Sequence, residues 1–261
     1  MAEPLILVST TDHICHVQFN RADKMNAANR ELIAQLAQAF TDADANPEVR
    51  VVVVSAVGSH FTAGLDLGDV LGTVAEKGIN LIPDGLIDPW GVTTAPISKP
   101  VVMAVSGTCL TLGVELILAT DVAVADSTAR FGQLEVSRGI LPFGGATTRM
   151  PARLGWGNAM QYLLTGDMFD ANRAHAMGLI QEVTQQGEHV ARAMEIARSI
   201  ASQAPLAVQA TLKNARLAAR SGEITALSQL PGELGRLLQS QDFAAGAAAF
   251  ADRSTPRFMG Q

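Results

Sequence analysis

Cysteine is nearly absent from this chain: two residues, Cys15 and Cys109, in 261. Two thiols supply no disulfide framework, which fits a reducing compartment. A surplus of positive charge is missing too, since 19 Lys and Arg face 25 Asp and Glu, for a net charge of -6 and a pI of about 5.3. A nucleic-acid binder carries a basic stripe, so that class is excluded; a compact anionic ligand, which needs only a few local cations, is not. No run approaches the roughly 20 apolar residues that span a bilayer. The opening MAEPLILVST has an early Glu3, no basic region and too short an apolar stretch for a secretory leader. A soluble, cytoplasmic protein with no membrane partner is expected. No G-x-S-x-G elbow is present and Ser106 has no evident His partner, which argues against a serine hydrolase. No metal site is expected either: on a strand His13 and Cys15 face one side and His16 the other, and two ligands do not close a zinc site. There is no long-period repeat.

What is present is apolar sequence, 48% of the chain, enough for one large core or a core with a smaller appended unit. Residues 5–20 read as two short strands about a polar turn at Thr10–Asp12. Leu32, Ile33, Leu36, Ala37 and Phe40 then recur at helical spacing behind an asparagine cap, Asn26 or Asn29, up to Asn46-Pro47. Val51–Val54 is a β-branched run of the kind buried on both faces of a parallel sheet. Gly58 and Gly64 permit a tight turn before a short helix from Leu65 to Leu71. Residues 72–98 are broken throughout by glycine and proline, as functional or mobile loops are. Val101–Val105 gives another buried strand, Ser106-Gly107 a turn, VELILA a buried helix and Val122–Ala125 a further strand, an alternation that predicts a layered α/β fold. Past the Pro142, Gly144 and Gly145 turn a helix follows, and Asp170 caps another that Gly178 closes. From Gly187 onward the chain reads as helices, with Pro205 and Pro231 at helix starts. This tail should pack on the core or on another subunit.

Two carboxylates stand among apolar neighbours, Glu115 in VELILA and Glu135 in FGQLEV. A buried carboxyl must find donors or a cation, or raise its pKa and take a proton. A pair of such groups is what proton-transfer chemistry requires. Taken singly, Glu115 also reads as a first-turn acid complementing the helix dipole, and Glu135 as a solvated loop carboxylate. Thr111 forms no capping box, because the residue three beyond it is Val114. Two places share a plan of buried strand, turn and helix start: Ala63-Gly64-Leu65 and Leu110-Thr111-Leu112. If both turns face one point, the N–H groups of Leu65 and Leu112 form an oxyanion hole, with Glu115 one helical turn beyond Leu112. His60, before the first turn, reads as structural.

Ordered motifs along nearly the whole chain carry a resemblance. They are Asn20-Arg21 with Asn26-Ala27, the run from His60 to Asp66, Lys99-Pro100, Gly107 and Leu110 with Gly113-Val114-Glu115, and Phe131 to Glu135. Gly139 to Gly145, Leu163 with Thr165-Gly166, Gly178-Leu179 and Pro256-Arg257-Phe258 follow. The chain resembles the crotonase superfamily, the enoyl-CoA hydratase/isomerase family. The resemblance implies an α/β spiral of ββα turns over residues 1–190, and a helical region over 191–261 that builds homotrimers, often paired as hexamers. It implies no cofactor, the substrate being itself an acyl-coenzyme A thioester. The thioester carbonyl would sit on the N–H groups of Leu65 and Leu112, and Glu115 and Glu135 fall where hydratases keep their catalytic glutamates. Water would then add syn across a 2-enoyl-CoA double bond. Lys24 and Met25, with Ala63, Gly64 and Asp66 of the turn, match the segments that hold coenzyme A. Trp90, with Leu81, Ile82, Leu86 and Ile87, would line the acyl pocket or pack between subunits. A double-bond isomerase and a non-catalytic acyl-CoA binder are the alternatives. Two family glycines are replaced by Thr111 and Leu112, which keeps the backbone N–H and adds a leucine side chain at the donor. Arg21, Lys24, Arg253 and Arg257 are the cations expected near the phosphates.

Overall fold

The computed structural model describes residues 3–261; Met1 and Ala2, the start of the stretch read for a leader, lie outside the described residues. β1 (Ile6–Thr11) and β2 (Ile14–Phe19) form an antiparallel hairpin. Its turn is Asp12-His13, slightly later than Thr10–Asp12, and both residues take the positive φ that a two-residue hairpin loop demands, 51° and 64°. α1 (Arg30–Ala45) is capped by Asn29, whose side chain accepts the Leu32 N–H, and buries the five apolar residues expected of it. At its far end Lys99 Nζ donates to the Ala43 and Asn46 carbonyls, a cation at a helix C-terminus.

β3 (Val51–Ala56) leads to α2 (Leu67–Lys77), which begins later than Leu65 and continues past Leu71. Gly72 inside it costs only about 1 kcal/mol relative to alanine, too little to stop a helix anchored by buried Val70. β4 (Val101–Val105) turns into β5 (Thr108–Leu110), a strand too short to show a period, and then α3 (Leu112–Ala119). β6 (Val122–Asp126), β7 (Arg130–Gly132), α4 (Ala146–Leu154), α5 (Trp156–Thr165) and β8 (Met168–Asp170) follow. α6 (Ala171–Met177) is capped by Asp170 and closed by Gly178 as expected, and β9 (Glu182–Thr184) ends the mixed part. The helical end comprises α7 (His189–Ala201), α8 (Pro205–Ser221), α9 (Glu223–Leu237) and α10 (Gln241–Asp252). Pro205 opens α8. Pro231 does not open a helix: it lies inside α9, where it removes one backbone bond, and packing along α8 carries the helix through it.

Six strands form one sheet in the order β1-β2-β3-β4-β6-β9, parallel from β2 onward. Val52 and Val54 face the large core beneath α1 and α3; Val51 and Val53 face α7, against Ala193 and Ala197. That two-sided burial is what the valine run predicts. It also divides the tail read as 191–261: α7 seals the sheet, while α8 docks through Arg216 on Asp121, 2.9 Å away. A second layer, β5-β7-β8, is extended backward by single parallel bridges, Thr62 to Cys109 and Ala28 to Leu65. Successive turns of the chain therefore add to the sheet and the ladder before a helix, the ββα spiral. No helix among the described residues is long and apolar enough to cross a membrane.

Candidate active site

The second-layer ladder brings the two turns together. Thr62 pairs with Cys109, giving its N–H to Thr108 O and accepting the Leu110 N–H, so that Leu65 and Leu112 each lie three residues beyond a shared rung. Gly64 O and Asp66 N both bond Ala28, which turns the intervening Leu65 peptide the other way, towards the second turn. Among the described residues neither the Leu65 nor the Leu112 N–H has an acceptor. The next rung, Leu110 to Gly132, continues into a one-turn helix from Glu135 to Arg138 and sets Glu135 on the same side. His60 is structural, as expected, its Nδ1 accepting the Thr108 N–H at 3.1 Å.

One apolar cavity collects these groups. Ala63, Leu65, Leu112, Trp90, Glu115 and Glu135 line it, with Thr111, Leu134, Arg138 and Phe143 among their neighbours. Leu81 and Ile82 of the irregular segment join them, whereas Leu86 and Ile87 do not. Leu112 packs its side chain into the wall, 5% exposed, so the leucine narrows the cavity and leaves its N–H in place. Lys24, Met25, Gly64 and Asp66 are not on that wall. Met25 O accepts the Ala63 N–H, and Asp66 is taken by Arg21 at 2.7 Å, so Arg21 is not a free cation.

Glu115 is 3% exposed, one turn into a helix that is apolar all round. Its Oε1 accepts the Ala146 N–H at 3.1 Å, and a Cβ on Gly144 would fall 2.5 Å from Oε2, so only glycine fits there. Burial nonetheless pushes its pKa up, against the Ala146 and Gly144 amides and the Arg149 charge. Glu135 is 6% exposed, and burial, aided by the charge of Glu115, pushes its pKa up to about 7. With its amide nitrogen turned to the carboxylate, buried Gln133 donates to both Glu135 oxygens at 3.1 Å and fixes the side chain. Two acids thus share one largely apolar pocket, and burial raises the pKa of one of them to about 7.

Two organising residues carried no periodic signal. Asp88 is buried and accepts the N–H groups of Trp90, Val92 and Thr93 and the Thr93 hydroxyl, all within 3.0 Å, which orders the loop after α2. Its only trace in sequence is an aspartate ahead of a Gly and Thr cluster, the pattern of a side-chain-closed turn. Arg149 ties the same loop to α4 through the Trp90 and Gly91 carbonyls. Trp90 Nε1 in turn donates to Leu112 O at 2.9 Å, a buried bond that pins the loop to the second donor turn. Asp88→Ala should cost about 3 kcal/mol or more, since each hydrogen bond to a charged acceptor contributes roughly 1.5–3 kcal/mol, and should open the loop to proteases. Denaturant midpoints and cleavage mapped between Gly78 and Ser98 check this; an unchanged cleavage pattern would remove Asp88 from that role.

Among the described residues no three His, Cys, Asp or Glu side chains are placed to hold a metal. His16 Nε2 instead pairs with Ser55 Oγ at 2.8 Å, and Cys15 is buried.

A family model described as enoyl-CoA hydratase/isomerase matches residues 9–261. The chain belongs to the enoyl-CoA hydratase/isomerase family. It is 31% identical to an enoyl-CoA hydratase of Mycobacterium tuberculosis, over 98% of this chain and 97% of that one. It is 30% identical to a 2,3-dehydroadipyl-CoA hydratase of Escherichia coli, over 98% and 99%. Among solved structures, a probable enoyl-CoA hydratase/isomerase from Mycobacterium abscessus superposes with a TM-score of 0.95 at 46% identity, covering 98% of this chain and 99% of that one. The fold is the crotonase fold implied by the motifs, and the family acts on acyl-CoA thioesters.

Proposed function

We propose that the chain is an enoyl-CoA hydratase that adds water syn across the double bond of a 2-enoyl-CoA thioester. The observation that carries this reading is the arrangement of two buried glutamates and two unpaired backbone N–H groups around one apolar cavity. The thioester oxygen lies on the N–H groups of Leu65 and Leu112. Water held between the carboxyls attacks the β carbon and gives a proton to Glu115. The electron pair moves through the α carbon to the thioester oxygen, and Glu135 returns a proton to the α carbon. One water is consumed and one proton passes from Glu135 to Glu115, to be exchanged back before the next turn. An oxyanion donor of this kind is worth about 3 kcal/mol of barrier.

The cavity, of about 160 Å³, takes an acyl group and not a nucleotide. The coenzyme A moiety therefore runs outside it, along Lys24–Met25 and the Ala63–Gly64 turn, where the side chain of Lys24 is exposed and its ammonium has no acceptor among the described residues. A trimer, alone or paired, is part of the same reading. Ile224, Leu227, Leu230, Leu234 and Leu238 stand exposed on one face of α9 and its end, an apolar stripe that a second copy would cover.

Both reaction directions need the glutamate pair to hold one proton, so hydration and dehydration share one pH profile. Above pH 7 that proton leaves as Glu135 ionises; at low pH a second proton arrives, at a value above the ordinary glutamate pKa because burial raises Glu115 as well. The expected kcat/KM is a bell with its alkaline limb at about pH 7, read from the loss of enoyl thioester absorbance with crotonyl-CoA and longer homologues. No turnover at any chain length, with coenzyme A binding intact, overturns the proposal in favour of an acyl-CoA binder.

A further inference from the structure

We infer that Arg149 is a positioning residue for both halves of the proposed site: one guanidinium fixes the turn that holds Glu115 and, through Trp90, the turn that carries the Leu112 N–H. The assignment rests on the hydratase reading and adds to it a residue that is not on the cavity wall. α4 begins behind Gly144-Gly145, and these two glycines leave the space of their missing side chains to opposite charges. A Cβ on Gly144 would lie 2.5 Å from Glu115 Oε2; one on Gly145 would lie 2.7 Å from Arg149 Nη1 and 3.0 Å from its Cζ. The carboxylate and the guanidinium therefore pack on one two-residue turn. The next amide, that of Ala146, is the donor to Glu115 Oε1. Arg149 closes the turn from its own helix as well, its backbone N–H donating to Gly145 O at 3.0 Å.

The side chain of Arg149 bonds backbone carbonyls and no carboxylate among the described residues. Nη1 donates to Trp90 O at 2.6 Å and to Gly144 O at 3.3 Å, and Nη2 to Gly91 O at 3.0 Å. A guanidinium can span two segments in this way because its donors stand in a rigid planar fork. Since Trp90 Nε1 donates to Leu112 O at 2.9 Å, an unbroken series of contacts joins the Glu115 turn to the second donor turn. The charge acts too. It is half-buried, with Arg220 of α8, Asp88 of the loop, Glu115 of α3 and Arg153 of its own helix as its charged neighbours. Burial favours the neutral form of Glu115; the Ala146 and Gly144 amides and then the Arg149 charge favour the ionised form, the one that takes a proton from water. Withdrawing a cation from water only to anchor a loop is costly. An apolar side chain could hold the loop, but it could not supply a charge to Glu115.

The test compares Arg149→Met and Arg149→Lys in the full chain, in a Trp156→Phe background that leaves Trp90 as the one tryptophan. The readouts are kcat/KM against pH with crotonyl-CoA, Trp90 emission, and the infrared carbonyl stretch of bound butyryl-CoA; the last two need no turnover. Methionine loses the fork and the charge, and lysine loses the fork alone. Both should red-shift Trp90 as its bond to Leu112 loosens, and move the carbonyl band back towards its free position. Both should lower kcat, methionine on the order of 100-fold, the cost of a reacting group displaced by about 1 Å. The charge separates them. Removing it raises the pKa of Glu115, so the acid limb of the bell moves to higher pH in Arg149→Met and stays in Arg149→Lys. Burial and the Glu115 charge set Glu135, so the alkaline limb stays in both. Wild-type rate, acid limb and band in the methionine variant, with or without a lower Tm, overturn the assignment. Where that variant does not fold, an unaltered rate and band in the lysine variant overturn it. A red shift and band return in Arg149→Met, in a chain whose wild type hydrates nothing, overturn the hydratase reading and leave Arg149 as the residue that positions the Leu112 N–H.

Discussion

Replacing either glutamate by glutamine should lower hydration kcat by about 1,000-fold, the middle of the range for a positioned acid or base and about 4 kcal/mol of barrier. Glutamine keeps an oxygen to accept the Ala146 N–H in place of Glu115, or the Gln133 amide in place of Glu135, so packing survives while the proton chemistry does not. Affinity for a saturated acyl-CoA should hold. The two substitutions also separate hydration from double-bond isomerisation, which manages with one acid: an isomerase would keep most activity in Glu115→Gln and lose it in Glu135→Gln. Stability moves the other way. The folded pKa of Glu135 is raised from 4.5 to about 7, so the native state binds more protons than the unfolded one between those values. Its stability therefore falls as pH rises through that window, by about 3 kcal/mol at most once the window is passed. Glu135→Gln escapes this loss and should melt higher than wild type at pH 8, with the difference gone near pH 4. A variant that is both inactive and less stable at pH 8 would mean that Glu135 is a structural acid.

The parts of the fold legible in sequence were those with a period or a cap. The five apolar positions of α1 behind Asn29, the valine run of β3 and the Asp170 to Gly178 helix all carry such signals, and all are found. The three-residue strands β5, β7, β8 and β9 are too short for periodicity; their pairing comes from the stacking of successive spiral turns. That ladder aligns Leu65 with Leu112, which is why two local plans read separately in sequence become one site. Glu115 was conspicuous because a charge in VELILA has no local explanation. Asp88 and Arg149 were not conspicuous, since their work is to satisfy backbone groups of a loop whose shape no pattern reports. Pro231 lies inside a helix instead of opening one, because proline's preference for a helix start is local while α9 is held by its packing on α8.

The second large effect is expected at Gly64. Its φ is +101°, a conformation that L side chains rarely adopt, and an added Cβ would meet Thr111 Oγ1 at 2.3 Å. Gly64→Ala must either rotate its peptide or push the two donor turns apart, and each outcome re-aims the Leu65 N–H. Positive φ and overpacking together should cost about 3 kcal/mol of stability. The rate should fall on the order of 100- to 1,000-fold, since an oxyanion donor acts only when aimed at the developing charge. The atom in the way belongs to Thr111, so Thr111→Gly in the same chain should restore much of the Tm, leaving only the strain at φ. Rate should not return with it, because the alanine still holds the Leu65 peptide out of line. Stability and turnover thus part company in the double variant, measured by thermal unfolding and by kcat for a short enoyl-CoA. A Gly64→Ala protein that turns over within threefold of wild type would show that the Leu65 N–H is not the donor, and the cavity would then need its charge stabilised from the α3 end alone.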